Sequence, residues 1–231
     1  MENVNNKVLT VGEIVANDFR TASIFKESGI DFCCGGKQSI AEACQENGVE
    51  QSVLVGKIKE LESSPLSPSQ NFKEWELGFL SDYIVNTHHR YVSKALPELL
   101  FYTQKIATVH GEGHPELVVV AEMFAKINDE LSQHLKKEEE VLFPAIKEAL
   151  NNPSEKLSAL IKSEIDRMEG EHDFAGGSMD EIKRITDGYR LPDDACNTYR
   201  LSFQLLEHFE DDLHVHVHLE NNILYPKARH V

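Results

Sequence analysis

Apolar stretches long enough to cross a bilayer are missing from this 231-residue sequence. The run at residues 117–121, for example, is stopped by Glu122, far short of the roughly 18 residues that a membrane helix needs. Residues 1–10 contain one lysine and no apolar core, unlike a secretory signal. Four cysteines are too few for a disulfide scaffold. We therefore predict a cytoplasmic protein with reduced thiols and no membrane partner.

Basic residues are also scarce. The sequence has 23 lysines and arginines against 39 aspartates and glutamates, and its formal net charge is −16. This sign of charge repels the phosphates of nucleic acids and of anionic lipids. We therefore expect neither as a partner, whereas a soluble protein that handles cations fits the charge.

Histidine is absent from the first 62 residues, which hold three of the four cysteines, whereas all eleven histidines lie at position 88 or later. Between these regions, residues 63–69 read Ser-Ser-Pro-Leu-Ser-Pro-Ser, and prolines at this density interrupt helices. The change in composition predicts a small domain over residues 1–62, a linker over 63–72 and a larger domain over 73–231. A domain of about 60 residues has only a marginal core.

Apolar residues recur at helical spacing in both regions, which predicts an all-α fold. In the first region we expect short helices over residues 11–17, 22–27, 40–46 and 53–61. In the second we expect long amphipathic helices over 74–108, 115–150, 154–187 and 193–228. Because the breaks between the long helices are short, they predict an antiparallel four-helix bundle.

One eleven-residue pattern occurs twice in the second region. Residues 134–144 and 216–226 both read H-x3-E-x2-[V/I]-L-[F/Y]-P. A spacing of four residues puts each histidine one turn from its glutamate on the same face of the helix. The core-facing stripe predicted for the first copy also contains four apolar residues, namely Phe124, Ile127, Leu131 and Val141.

A similar correspondence relates the first and third long helices. Their apolar stripes match position by position, and the one polar position is histidine in both, at His89 and His172. Internal duplication therefore selects six candidate ligands, namely His89, His134, Glu138, His172, His216 and Glu220.

Imidazole and carboxylate groups that converge from four facing helices are typical of a two-metal site in a bundle core. This donor set suits iron, and also manganese or zinc. A carboxylate has two oxygens with which it can bridge two ions. Without metal, the six polar side chains would be costly to bury on apolar stripes. The duplicated register therefore predicts a dinuclear metal centre.

Other polar residues lie near these positions. His88 could replace His89 as a ligand, although the repeat register favours His89. His110 and His114 are predicted to be polar residues of a turn. Glu139 and Glu140 are predicted to be solvated, and His214 and His218 to support the site or to be exposed. Glu171, just before His172, could support the site or be exposed, and exposure is favoured.

The arrangement H…H-x3-E…H…H-x3-E on four helices resembles the hemerythrin-like fold, with one histidine fewer than hemerythrin proper. A second motif, Asp-Phe-Cys-Cys-Gly-Gly-Lys, occupies residues 31–37 of the small domain. Together they resemble the repair-of-iron-centres family over essentially the whole chain. That resemblance implies two non-haem iron ions per chain, oxo-bridged and bridged by the carboxylates of Glu138 and Glu220. It also implies repair of iron–sulfur clusters after nitrosative or oxidative damage, with damaged iron–sulfur proteins as partners.

The pair Cys33 and Cys34 is separate from the metal argument. A disulfide between adjacent cysteines would be strained, and the spacing is not that of a C-x-x-C site. A glycine-rich turn beside a helix start can expose thiols and lower their pKa. We predict that the pair handles sulfur, nitric oxide or iron, the alternative being a structural or incidental pair. Cys44 and Cys196 are predicted to be small buried hydrophobes.

Three functions fit these motifs. The first is a repair factor that donates iron to damaged clusters, which we favour over a turnover enzyme. The second is a di-iron reductase of nitric oxide or peroxide, and the third is a sensor that binds dioxygen or nitric oxide. A homodimer also fits, because the cysteine loop could act on the bundle of its own chain or of a second chain.

Overall fold

The computed structural model describes residues 9–231. The regular elements in this range are helices, and the one β-type pairing found there is an isolated bridge between Thr10 and Ser39. The all-α prediction is therefore confirmed. Within the same range, no helix combines the length and apolar character that crossing a bilayer requires. The prediction about a secretory signal concerns residues 1–10, which lie mostly outside the described residues.

Contacts divide the chain into two compact units. The first unit contains Met1–Glu76 together with Val217–Lys227, and the second contains Leu77–His216 together with Ala228–Val231. Part of the last long helix therefore groups with the N-terminal region, a feature that composition alone does not show.

Short helices build the N-terminal part of the first unit. They are α1 (Val11–Asn17), α2 (Thr21–Glu27), α3 (Ile40–Asn47) and α4 (Gln51–Glu62), close to the predicted positions. α1 begins with a capping box between Thr10 and Glu13, whose side chains each bond the other's backbone N–H. Gly48 ends α3 with φ 65°, a left-handed conformation that suits glycine.

The first two long helices each contain a π-helical segment. The first helix consists of α5 (Leu77–Ile84), a π segment (Val85–His89) and α6 (Arg90–His110). The second consists of α7 (Glu116–Lys137), a π segment (Glu138–Leu142) and α8 (Phe143–Asn151). Because α5 contacts α8 while α6 contacts α7, these two long helices run antiparallel.

The last two long helices complete the predicted set. The third is the single helix α9 (Glu155–Ile185). The fourth consists of α10 (Asn197–Leu219), a π segment (Glu220–Leu224) and α11 (Tyr225–Ala228). In the second unit, Phe124 of α7 meets Phe209 of α10 edge to face, with ring centroids 5.5 Å apart in the apolar core.

Two of the π segments lie just before a proline. Pro144 and Pro226 lack an N–H, and in a regular α-helix their rings would clash with the carbonyl four residues earlier. A wider π turn just before each proline relieves this clash. Val141 is 38% exposed while Leu142 is buried, so the prediction that Val141 faces the core is wrong. The matching Ile223, in the same π turn of the second copy, is buried.

Candidate metal centre

The six candidate ligands are all deeply buried, each at most 1% exposed. Three of them lie at π segments: His89 ends the first segment, and Glu138 and Glu220 begin the other two. π turns inside α-helices occur frequently at functional sites. Here they adjust the position of ligand side chains on otherwise regular helices.

The donor atoms of these residues form two groups, within each of which all atoms lie within 4.8 Å of one another. The first group consists of His89, His216, Glu138 and Glu220. The second consists of His134, His172 and the same two glutamates. Each group thus has its own pair of histidines, and the two groups share both carboxylates.

Individual distances within the groups are short. The Nε2 atoms of His134 and His172 are 3.0 Å apart. Oε2 of Glu138 lies 3.2 Å from Nε2 of His134 and 3.3 Å from Nε2 of His89. Nitrogen and carboxylate donors that converge in this way fit non-haem iron by donor chemistry.

Carboxylates outside the two groups orient two of the histidines. Nδ1 of His89 is 2.9 Å from Oε1 of Glu139, and Nδ1 of His134 is 2.9 Å from Oε2 of Glu171. A carboxylate only accepts, so Nδ1 donates in both histidines and the Nε2 lone pair faces the candidate centre. Such partners fix the tautomer of metal-binding histidines and raise their basicity.

These contacts correct two predictions. Glu171 is not an exposed side chain: burial would raise its pKa, but hydrogen bonds from His134 and Lys137 lower the pKa to about 2. Glu139 is partly exposed, yet it bonds His89 and is not merely solvated.

His88 belongs to neither donor group. It is buried, its Nδ1 lies 3.0 Å from Oδ1 of Asp212, and its ring stacks on that of His216 with centroids 5.6 Å apart. The sequence analysis did not predict a role for Asp212. Its position four residues before His216 puts both side chains on one face of α10 and could have indicated one.

The cysteine loop differs from its prediction. Cys33 is 3% exposed, whereas Cys34 is half-buried. A hydrogen bond with Cys34, burial and the charge of Asp31 raise the pKa of the Cys33 thiol well above its ordinary value. The expectation that the glycine-rich turn exposes Cys33 and lowers its pKa is therefore wrong, because the loop packs inside the first unit.

The opposite correction applies to Cys196. It was expected to be buried, but it is exposed, just before α10. Hydrogen bonds from the backbone N–H of Tyr199 and from the His110 side chain lower the pKa of Cys196 to about 7. His114 lies in the turn after α6, as predicted, whereas His110 is the last residue of α6 and approaches the Cys196 Sγ at 3.2 Å. Cys44 is buried, as predicted.

Comparisons with known proteins show which families and proteins the chain is similar to. Residues 81–228 match the family described as Hemerythrin HHE cation binding domain, and residues 7–62 match ScdA_N, a domain of unknown function. The iron-sulfur cluster repair protein YtfE of Musicola paradisiaca is 36% identical over 222 residues, 95% of each chain. The protein of the same name from Dickeya chrysanthemi is 33% identical over 219 residues, 95% of this chain and 96% of its own. That from Yersinia pestis is 34% identical over 209 residues, 90% of this chain and 91% of its own.

Proposed function

Because this chain belongs to the family of hemerythrin-domain iron–sulfur cluster repair proteins, we propose that it restores iron–sulfur clusters damaged by nitrosative or oxidative stress. In this proposal the bundle holds iron and supplies it to the damaged cluster. The observation that carries the proposal is the pair of four-donor groups sharing Glu138 and Glu220.

The ligand assignment is part of the proposal. His89 and His216 would hold one iron ion, His134 and His172 the other. Glu138 and Glu220 would bridge the two ions, since each belongs to both groups. An oxo bridge between the ions is the further detail that the family resemblance implies. When bound, the pair of ions supplies a source of iron and a redox-active centre.

The protein's own residues control how firmly iron is held. Glu139 and Glu171 accept hydrogen bonds from the Nδ1–H groups of His89 and His134, which holds the proton on Nδ1. Both Nε2 atoms therefore stay available as ligands. Protonation of a ligand histidine removes that donor, and metal affinity therefore falls when the solution becomes acidic. Deep burial of all six ligands restricts access of water and of competing ligands.

Iron–sulfur proteins with damaged clusters are the proposed partners, and the cytoplasm the proposed compartment. A homodimer is a further part of the proposal. It is supported by apolar side chains at the surface of the second unit, such as Phe101, which is 58% exposed. Light scattering of the purified protein tests this point.

The test of the function is repair with labelled iron. Protein loaded with isotopically enriched iron is mixed under nitrogen with an iron–sulfur enzyme damaged by nitric oxide. We expect the enzyme to regain activity while enriched iron moves into its cluster. Controls are the iron-free protein and an equal amount of free ferrous iron.

Two results would contradict the proposal. One is reactivation without transfer of enriched iron above the free-iron control. The other is steady consumption of nitric oxide or peroxide with an electron donor but no reactivation, which would favour the reductase.

A further inference from the structure

A second cluster of metal-binding side chains lies in the first unit, in the turn between α2 and α3. Ligand atoms of Asp31, Cys33 and Cys34 all lie within 4.8 Å of one another. The two sulfurs are 3.9 Å apart, and Sγ of Cys33 is 2.9 Å from Oδ1 of Asp31. The three residues therefore present two thiols and a carboxylate to one small region.

These distances fit a single metal ion. Two sulfurs bound tetrahedrally at about 2.3 Å from one ion lie about 3.8 Å apart, close to the 3.9 Å observed between Cys33 and Cys34. In this structure, the distance between the Cys33 Sγ and the Asp31 Oδ1 is that of a hydrogen bond. This distance would have to lengthen by about 0.7 Å when an ion replaces the thiol proton.

The backbone already holds the loop in this conformation. The Asp31 carboxylate accepts hydrogen bonds from the N–H groups of Cys33 and Gly35, at 2.7 Å and 2.6 Å. The position of the carboxylate is therefore fixed before any ion arrives. Because the loop is already ordered, less conformational entropy is lost when an ion binds.

Asn222 anchors the same loop to the segment that carries Glu220. Its side-chain amide donates to the carbonyls of Phe32 and Cys33 at 3.3 Å and 3.1 Å. Two glycines make room for it: a Cβ at Gly12 would overlap the Asn222 side chain, and one at Gly36 would lie 3.1 Å from its Oδ1. The loop is thus attached two residues along the chain from a candidate ligand of the metal centre.

We propose that Asp31, Cys33 and Cys34 form a second, transient site for iron(II), which accepts iron from the centre before it passes to a client. This inference rests on the proposed function. Binding is ligand exchange without redox change and starts from a centre that holds iron(II). The departing ion's bonds to the imidazoles and carboxylates of the centre break, the two thiol protons of the loop go to solvent, and two iron–sulfur bonds and one iron–oxygen bond form. Three protein ligands leave a coordination position open, as a site that releases its ion requires.

The test uses cobalt(II) as a spectroscopic substitute for iron(II), added under nitrogen to the full-length, metal-free protein with reduced thiols. We expect about three cobalt ions per chain, two from the centre's six ligands and one from the loop. The loop ion should produce a thiolate-to-cobalt charge-transfer band, which the histidine and glutamate ligands of the centre cannot produce.

Variants separate the two sites. Cys34→Ser should abolish the charge-transfer band and the third ion while leaving the other two ions bound. Asp31→Asn should weaken the third ion about tenfold or more by removing a charged ligand. Cys44→Ser is the matched control, since this buried thiol lies outside the cluster, and it should change nothing. Circular dichroism confirms that each variant is folded.

A wild-type protein that binds cobalt without a thiolate band would overturn the inference, as would a band that persists in Cys34→Ser. Either result leaves the proposed function standing if the centre still binds its ions and labelled iron still reaches the damaged client. Conversely, a thiolate-bound ion in a chain whose centre binds no metal would contradict the proposed function and the transfer of iron from the centre, while the loop would remain a metal site.

Discussion

The two copies of the eleven-residue motif share their metal chemistry but differ in the residues between the ligand and the proline. After Glu138 come two further glutamates, whereas after Glu220 come two asparagines. In the first copy, Glu139 bonds His89 inside the bundle. In the second, Asn222 bonds the cysteine loop inside the first unit. The positions that do not bind metal have thus acquired separate tasks.

What the copies retain is equally informative. Both have a π turn that begins at the glutamate and ends before the proline. Both glutamates belong to both donor groups. We infer that the glutamate and the π turn form one functional unit, whereas the position two residues after the glutamate has a different role in each copy: Glu140 is exposed, and Asn222 bonds the cysteine loop. This inference can be tested by altering each position in both copies.

The largest effect is expected from removing either shared carboxylate. Glu138→Ala and Glu220→Ala should each reduce bound iron from about two ions per chain to nearly none, because each glutamate contacts both sites. Iron is quantified colorimetrically after gel filtration. The matched control is Glu140→Ala, an exposed residue that should keep full iron content. Full iron content in either glutamate variant would contradict the shared-ligand assignment.

The second effect tests the proposed domain boundary at residues 63–72. A chain of residues 73–231 keeps all six candidate ligands but leaves Val217–Lys227 without its partners in the first unit. Losing the Asn222 hydrogen bonds and buried apolar contacts should cost roughly 3 kcal/mol. For a chain of this size, that lowers the Tm by about 6–12 °C. The change in Tm is measured by thermal unfolding, with circular dichroism as the signal. An unchanged Tm would mean that the bundle is stable alone.

Periodicity and duplication were sufficient to predict the helices and the ligand candidates. The predicted second long helix over 115–150 corresponds to Glu116–Asn151 in the structure, because amphipathic spacing is a local property of the sequence. The six residues selected by duplication are the six that form the two donor groups.

The remaining features depend on contacts between distant residues. Asn222 and Phe32 are 190 positions apart, and no local pattern shows that the cysteine loop packs there and buries Cys33. Glu171 is 37 residues from His134, and its spacing to neighbouring acids resembles that of any exposed helix face. The exposure of Val141 likewise does not follow from the local pattern, because the matching Ile223 of the second copy is buried.

A smaller effect is expected from the carboxylates that orient the histidines. Glu171→Gln removes the charge beside His134 but keeps a hydrogen-bond acceptor, and such changes typically weaken metal binding by about 10- to 100-fold. Competition with a chelator measures the affinity. Asp173→Asn, an exposed acid on the same helix, is the control for loss of a charge. Equal affinity in the two variants would show that Glu171 is only a surface ion-pair partner.

The smallest effect concerns Cys196, whose environment contrasts with that of the buried Cys44. Its thiol should react with iodoacetamide with a pH midpoint near 7, because backbone and His110 hydrogen bonds stabilise the thiolate and lower its pKa to about 7. The rate should therefore rise as pH increases through neutrality and level off above it. In His110→Gln the midpoint should move up toward the ordinary value of about 8.5.

Cys44, whose pKa is raised by burial and by Glu50, should remain unmodified throughout. Peptide mass spectrometry at a series of pH values measures both thiols in one sample. A midpoint for Cys196 that is identical in the wild type and in His110→Gln would show that the helix backbone alone sets its reactivity.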